Sequence, residues 1–358
     1  MGQVKQLLVF ISAFAPAEDG AIHAYRLDVE SGRLTFLQKN SDVEHPFFLA
    51  MSFDDKFLYS IHAPSQIGGK ENEYVSAFEV IGNDGELKLL NRQSARGTSS
   101  CYLDVDEMGK SVVVANYSTG SVASFVVRDD GSLSETMSLV QHHGSSVDPS
   151  RQSAPHAHCI VISPDNRFAY VADLGLDQVV GYRLDTDTAK LLSHRQPFVR
   201  TSPGVGPRHL TFHPNGRWMY VINEMGNSVT RFDYDAQSGM LIEQATISTL
   251  PKDFEGTSHC ADLKITPDGR FLYGTNRGHD SVVAYRIDET GELTWLGIES
   301  SLGDSPQNLA IAPGGELLLC ANMAGSNVVV FRIDSKTGSL SPIGQPLSII
   351  SPSCIMIR

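Results

Sequence analysis

The stretch HLTFHPNGRWMYVINEMGNSVTRFDYD, residues 209–235, decides the fold, because the chain says nearly the same thing again elsewhere. HCIVISPDNRFAYVADLGLDQVVGYRLD begins at His158, DLKITPDGRFLYGTNRGHDSVVAYRID at Asp262 and NLAIAPGGELLLCANMAGSNVVVFRID at Asn308. Weaker copies start at Phe48 and Tyr102. Each unit reads as three alternating or apolar runs rich in Val, Ile, Tyr and Phe, then a turn such as DETGEL or AQSGML, then a fourth run. Tyr170, Tyr220 and Tyr273 stand 50 and 53 residues apart. Four short antiparallel strands repeated at this period make the blade of a β-propeller. Six units are complete. QLLVFISAF and IHAYRLD at the start lack a first strand, and SPSCIMIR at the end supplies one. The prediction is an all-β, seven-bladed propeller of four-stranded blades over residues 1–358, one domain, with the ring closed by pairing the two terminal segments in one blade.

Composition agrees and narrows the function classes. The chain of 358 residues is 41% hydrophobic and 19% charged, enough apolar material for a large core. A formal net charge of −13 argues against nucleic acid or an anionic membrane as partner, and it obliges any anionic ligand to find a local cationic site. Cys101, Cys159, Cys260, Cys320 and Cys354 are far apart and without C-x-x-C spacing, as expected of reduced thiols in the cytoplasm. The apolar start QLLVFISAF is needed as a strand by the repeat, so it is read as structure and not as a signal peptide. No run approaches the roughly 20 apolar residues of a membrane helix. The sequence leaves the oligomeric state open and is compatible with a monomer.

Function should lie where the copies disagree. The innermost strand of a blade and the link between its second and third strands share one face of the ring, while the SPDN, HPNG, TPDG and APGG turns take the other. At the start of the innermost strands one column reads Phe47, Cys101, His158, Arg208, Ala261, Gln307, Ser353. Two residues later the column is uniformly Leu or Ile, hence structural. The column ending the second strands reads His62, Asn116, Asp173, Asn223, Asn276, Asn322, short polar groups suited to turn chemistry. The next is Ala63, Tyr117, Leu174, Glu224, Arg277, Met323. His158, Arg208, Glu224 and Arg277 are the ionisable outliers, and they fall on three adjacent blades. Two guanidinium groups can grip carboxylate or phosphate oxygens, and a His with a Glu beside them can move protons. His156 and His158 alternate on one strand, yet no third ligand stands in register with them, so no metal is expected.

The motifs PHAH at 155–158, GPRH at 206–209, NE at 223–224 and NRG at 276–278 resemble the seven-bladed lactonase propellers. That family includes 6-phosphogluconolactonases and 3-carboxy-cis,cis-muconate lactonizing enzymes. The resemblance covers the whole chain. It implies catalysis by His158 (with His156 the alternative), Arg208, Glu224 and Arg277, without metal or cofactor. His156, His209, Asn276 and Gln307 are assigned beside them as substrate contacts. The expected activity is hydrolysis of a phosphorylated sugar lactone, 6-phosphogluconolactone first, with Glu224 or His158 activating water. Muconate cycloisomerisation and a non-enzymatic ligand-binding propeller are the alternatives. The expected partner is a small anionic substrate for both enzymatic readings, and a peptide or sugar ligand for the binding propeller.

Overall fold

The structure, a computed structural model, describes residues 6–16, 19–41, 43–62 and 73–358; Ala63 of the last column lies outside them. Twenty-eight strands form seven four-stranded antiparallel sheets. The innermost strands are Pro46–Met51, Ser100–Val105, Ala157–Ile162, Pro207–Phe212, His259–Ile265, Pro306–Ile311 and Pro352–Ile357. Each packs on the next and the seventh on the first, which closes a ring around one axis. Pro352–Ile357 pairs with Gln6–Ala13 (Ile11 opposite Ile355), so the two ends of the chain complete one blade as the repeats predict. The sheets leave no open seam at that blade, and the described residues contain no helix.

The tyrosine spacing has a physical cause. Tyr59, Tyr220 and Tyr273, buried in second strands, donate their hydroxyls to the carbonyls of Gly131, Gly291 and Gly338 at 3.1, 2.7 and 2.8 Å, and Tyr170 does the same to Gly239. Each glycine sits in the outer turn of the following blade, at φ between 73° and 83°. A Cβ there would also strike an aromatic ring two residues before the tyrosine: Phe57, Phe168, Trp218 or Phe271. Only glycine meets both demands. The pattern Phe/Trp-x-Tyr in one blade and Gly in the next is therefore an inter-blade clamp, worth about 1 kcal/mol in each hydrogen bond. The apolar core lies between blades as well as within them, with clusters that draw on neighbouring sheets.

One irregularity recurs in every blade and positions the site. Each innermost strand shifts register against its neighbour near its start: Pro207 faces Asn223 and His209 faces Ile222, so Arg208 is extra. The same shift leaves Cys101, His158, Gln307 and Ser353 unpaired. The column read from the sequence is thus a ring of β-bulges, and a bulge re-aims its side chain out of the pleat. An arginine can begin a buried strand because the bulge turns it toward the axis.

Candidate active site

At one end of the axis the bulges open into a cavity of about 350 Å³. His158, Arg208, Glu224, Arg277, Gln307 and Tyr117 line it together with apolar Phe14, Phe47, Ile61 and Met323. The segment before Arg208 is held by Asp177, whose carboxylate accepts the backbone N–H groups of Gly204 (2.7 Å) and Gly206 (2.8 Å). Both glycines have positive φ. Gly206 in turn accepts the Glu224 N–H at 2.7 Å, which fixes the carboxylate-bearing residue beside the arginine.

Glu224 is the hub. Its Oε2 accepts from Arg208 Nε and lies beside Arg277 Nη2, both at 2.9 Å, and its Oε1 accepts from Arg151 Nη2 at 2.6 Å. His158 Nε2 stands 3.9 Å from Oε2, too far for a direct hydrogen bond. Burial alone would raise the Glu224 pKa, but Arg277, Arg208, His158 and Arg151 together outweigh it and hold the carboxyl well below the usual range. It is a carboxylate at any working pH. His158 is pushed well below the ordinary histidine value by burial first, then by Arg208 and His209, so its ring is neutral. Three guanidinium charges less one carboxylate leave the cluster at +2.

The arginines differ in freedom. The Arg208 side chain is 2% exposed, while those of Arg277, which lines the cavity, and Arg151, which reaches Glu224, are 23% and 35% exposed. Arg277 is steadied by the carbonyls of His259 and Cys260 and approaches Gln307 Oε1 at 3.5 Å. Arg151 also interacts with Tyr117.

The four residues assigned to catalysis are therefore brought together, and Gln307 lines the same cavity. Three other assignments do not fit their placement. His156 turns away: its ring stacks on Tyr117 at 4.5 Å and its Nδ1 faces the Tyr117 carbonyl at 3.1 Å. It braces the cavity wall from behind. Asn276 is fully buried and bonds Thr249 O and Ser281 Oγ. Asn116 and Asn322 make the equivalent pair of bonds in their own blades, so at these three positions the column is turn chemistry. His209 lies one layer below the cavity floor, against Asp262 at 2.8 Å and edge-on to Tyr102.

Arg151 and Tyr117 were missed. Arg151 sits in the segment SSVDPSRQSAPHAH, which has no counterpart in the other units, so no column could expose it. Tyr117 stood in the right column but carried no charge to mark it.

A closed seven-bladed ring whose axial cavity gathers two arginines around a glutamate defines a propeller with a charged axial pocket. The chain belongs to the seven-bladed β-propeller lactonase family, whose sequence model matches residues 8–357. It is 32% identical to the 6-phosphogluconolactonase of Bacillus subtilis over 97% of both chains. It is also 32% identical to that of Formosa agariphila over 98% of this chain and 99% of the other. Among solved structures, the periplasmic gluconolactonase PpgL of Pseudomonas aeruginosa superposes with a TM-score of 0.92 at 29% identity, over 99% of each chain.

Proposed function

We propose that this protein hydrolyses 6-phosphogluconolactone to 6-phosphogluconate at the axial cavity. The observation that carries the reading is the trio of arginines around Glu224. Guanidinium groups in number are the donors that a phosphomonoester takes up, since it carries about −1.5 to −2 at neutral pH and accepts bidentate pairs. Arg277 and Arg151, the more exposed two, hold the phosphate. Arg208, in the floor, keeps Nη2 for the lactone carbonyl, because its Nε and Nη1 are taken by protein acceptors.

In the chemical step a water oxygen attacks the carbonyl carbon and gives its proton to neutral His158 Nε2. Negative charge develops on the carbonyl oxygen beside Arg208, and the imidazolium forms 3.9 Å from the Glu224 carboxylate. Collapse breaks the bond from the carbonyl carbon to the ring oxygen, which leaves as a hydroxyl with the proton from His158. The acid product ionises in water. Glu224 is the fixed counter-charge of this scheme and His158 the proton carrier. Locked by three arginines, Glu224 is too weak a base for the second part.

The relatives above are named lactonases, and the cyclisation alternative finds no support in them. We place the enzyme in the cytosol, since all five cysteines are buried and unpaired. The test is hydrolysis of freshly prepared 6-phosphogluconolactone against its spontaneous decay, with gluconolactone in parallel. A rate on the phosphorylated lactone at the spontaneous level would overturn the function. Equal kcat/KM on both lactones would overturn the phosphate assignment alone.

A further inference from the structure

Beneath the cavity floor is a buried polar chain that the hydrolysis scheme does not use. Arg208 Nη1 lies 3.1 Å from His209 Nε2 and also donates to the Ala261 carbonyl. His209 Nδ1 lies 2.8 Å from Asp262 Oδ1. Asp262 is fully buried, and its orientation is over-determined. Oδ2 accepts from Asn308 Nδ2 at 2.7 Å and from the Leu309 N–H at 2.9 Å, Oδ1 accepts from the Leu263 N–H at 2.9 Å, and Lys264 Nζ reaches both at 3.0 Å. The His209 ring cannot rotate away, being wedged edge-on against Tyr102, Phe48 and His158.

This geometry settles which nitrogen of His209 bears hydrogen. A carboxylate can only accept, so Nδ1 carries the proton facing Asp262. Nε2 then presents a lone pair to Arg208, which can only donate. The other tautomer would set two donors face to face at 3.1 Å and turn the Nδ1 lone pair onto a carboxylate oxygen at 2.8 Å.

We infer that His209 and Asp262 are a positioning pair for Arg208: Asp262 fixes the Nδ1–H tautomer of His209, and its Nε2 then holds the guanidinium so that Nη2 faces the cavity. Nε is fixed by Glu224, Nη1 by His209 and the Ala261 carbonyl, and Nη2 is the amino group that no described residue takes. The bulge explains how two consecutive residues share this task. It places the Arg208 and His209 side chains on the same, axial side of the strand, where a regular strand would send them to opposite faces. The catalytic consequence rests on the reading that Nη2 meets the developing oxyanion, but the tautomer and the locked guanidinium do not.

Two variants and one spectrum test this. His209→Phe keeps a ring for Tyr102 and Phe48 but offers no acceptor; His209→Gln offers its amide oxygen to Arg208. His209→Phe is expected to lose about 10²–10³-fold in kcat, as when an oxyanion contact is misplaced, with KM changed less than threefold. His209→Gln should keep kcat within about tenfold of wild type. Equal losses in both variants would mean that packing alone matters, and no loss in His209→Phe would mean that Arg208 needs no help. Either result overturns the pair. Independently of any substrate, ¹⁵N NMR of wild type should show His209 protonated at Nδ1 and bare at Nε2. The Arg208 side-chain N–H protons should exchange slowly in wild type and His209→Gln, and fast in His209→Phe. A protonated Nε2, or unchanged arginine exchange in His209→Phe, overturns the inference even if the natural lactone proves to be another.

Discussion

Replacing Glu224 by glutamine keeps the side chain's shape and removes the charge on which three arginines converge. The effect is set by the least mobile of them. Arg277 and Arg151 can swing toward solvent, whereas the Arg208 side chain is 2% exposed and has nowhere to go. Glutamine can offer one oxygen, so at least one of the contacts at 2.6 and 2.9 Å becomes donor against donor. Leaving one member of a buried pair uncompensated costs about 3–5 kcal/mol. Unfolding entropy of about 2.1 cal/mol/K per residue gives roughly 0.75 kcal/mol/K for 358 residues, so Tm should fall by roughly 4–7 °C. The same variant should lose about 10²-fold or more in kcat, since the imidazolium of His158 forms without its counter-charge. Differential scanning fluorimetry with and without inorganic phosphate is the assay. Phosphate supplies the missing negative charge, so it should raise the Tm of the variant by more than that of wild type. A Glu224→Gln protein that melts within a degree of wild type, or that phosphate does not favour, would refute the idea that this carboxylate organises the arginines.

Three further outcomes are expected. Phosphate at about a hundred times its Kd should stabilise wild type by about 2.7 kcal/mol through linkage, a rise of roughly 3–4 °C on the same entropy scale. Arg277→Ala with Arg151→Ala should abolish that rise, and a double variant stabilised as strongly as wild type would place the anion elsewhere. Lowering pH from 7.5 to 5 should destabilise the fold. His62 and His209 are held down to about 4, each by burial first and then by an arginine, and His158 is also lowered, so each stays neutral where the unfolded chain takes up a proton below about 6.5. Each loses about 1.4 kcal/mol per pH unit across that window; Asp104, raised to about 6 mainly by burial, offsets part of the loss. A flat Tm over this range would contradict the neutral assignments. Deleting residues 351–358 removes the strand paired with Gln6–Ala13, with buried Cys354 and Ile355 among its residues, so the shortened chain should fail to fold or melt more than about 10 °C lower. A melt within a degree of wild type would show that the closure is dispensable.

What could be read from the amino acids depended on repetition. Seven imperfect copies act as internal controls, and a column whose members are mostly uncharged isolates the two that are ionisable. That is how Arg208 and Glu224 could be found without a structure. The same comparison is blind to two things. It cannot see residues outside the repeat, and Arg151 enters from a segment that only one blade carries. It also treats chain order as spatial order. His209 and Asn276 adjoin Arg208 and Arg277 in the chain, but the bulge at Arg208 leaves His209 in the layer beneath the cavity, and Asn276 bonds Thr249 and Ser281 of its own blade.

The bulge ring also explains why this scaffold can carry such a site in a protein of net charge −13. A regular strand would alternate, sending every second side chain into the packing between blades, where an arginine without a partner could not be tolerated. A bulge in each innermost strand turns one residue per blade toward the axis without disturbing the pairing that follows, as the regained register at Leu210 opposite Val221 shows. Its identity is then nearly free: Cys, His, Arg, Ala, Gln and Ser all occupy the position in one molecule. Fold stability and site chemistry are thus written in adjacent columns. The Leu or Ile column two residues later stays fixed because it packs, while the bulge column varies because it faces the cavity. A charge substitution in the first should unfold the protein, and the same substitution in the second should only re-tune what the cavity binds.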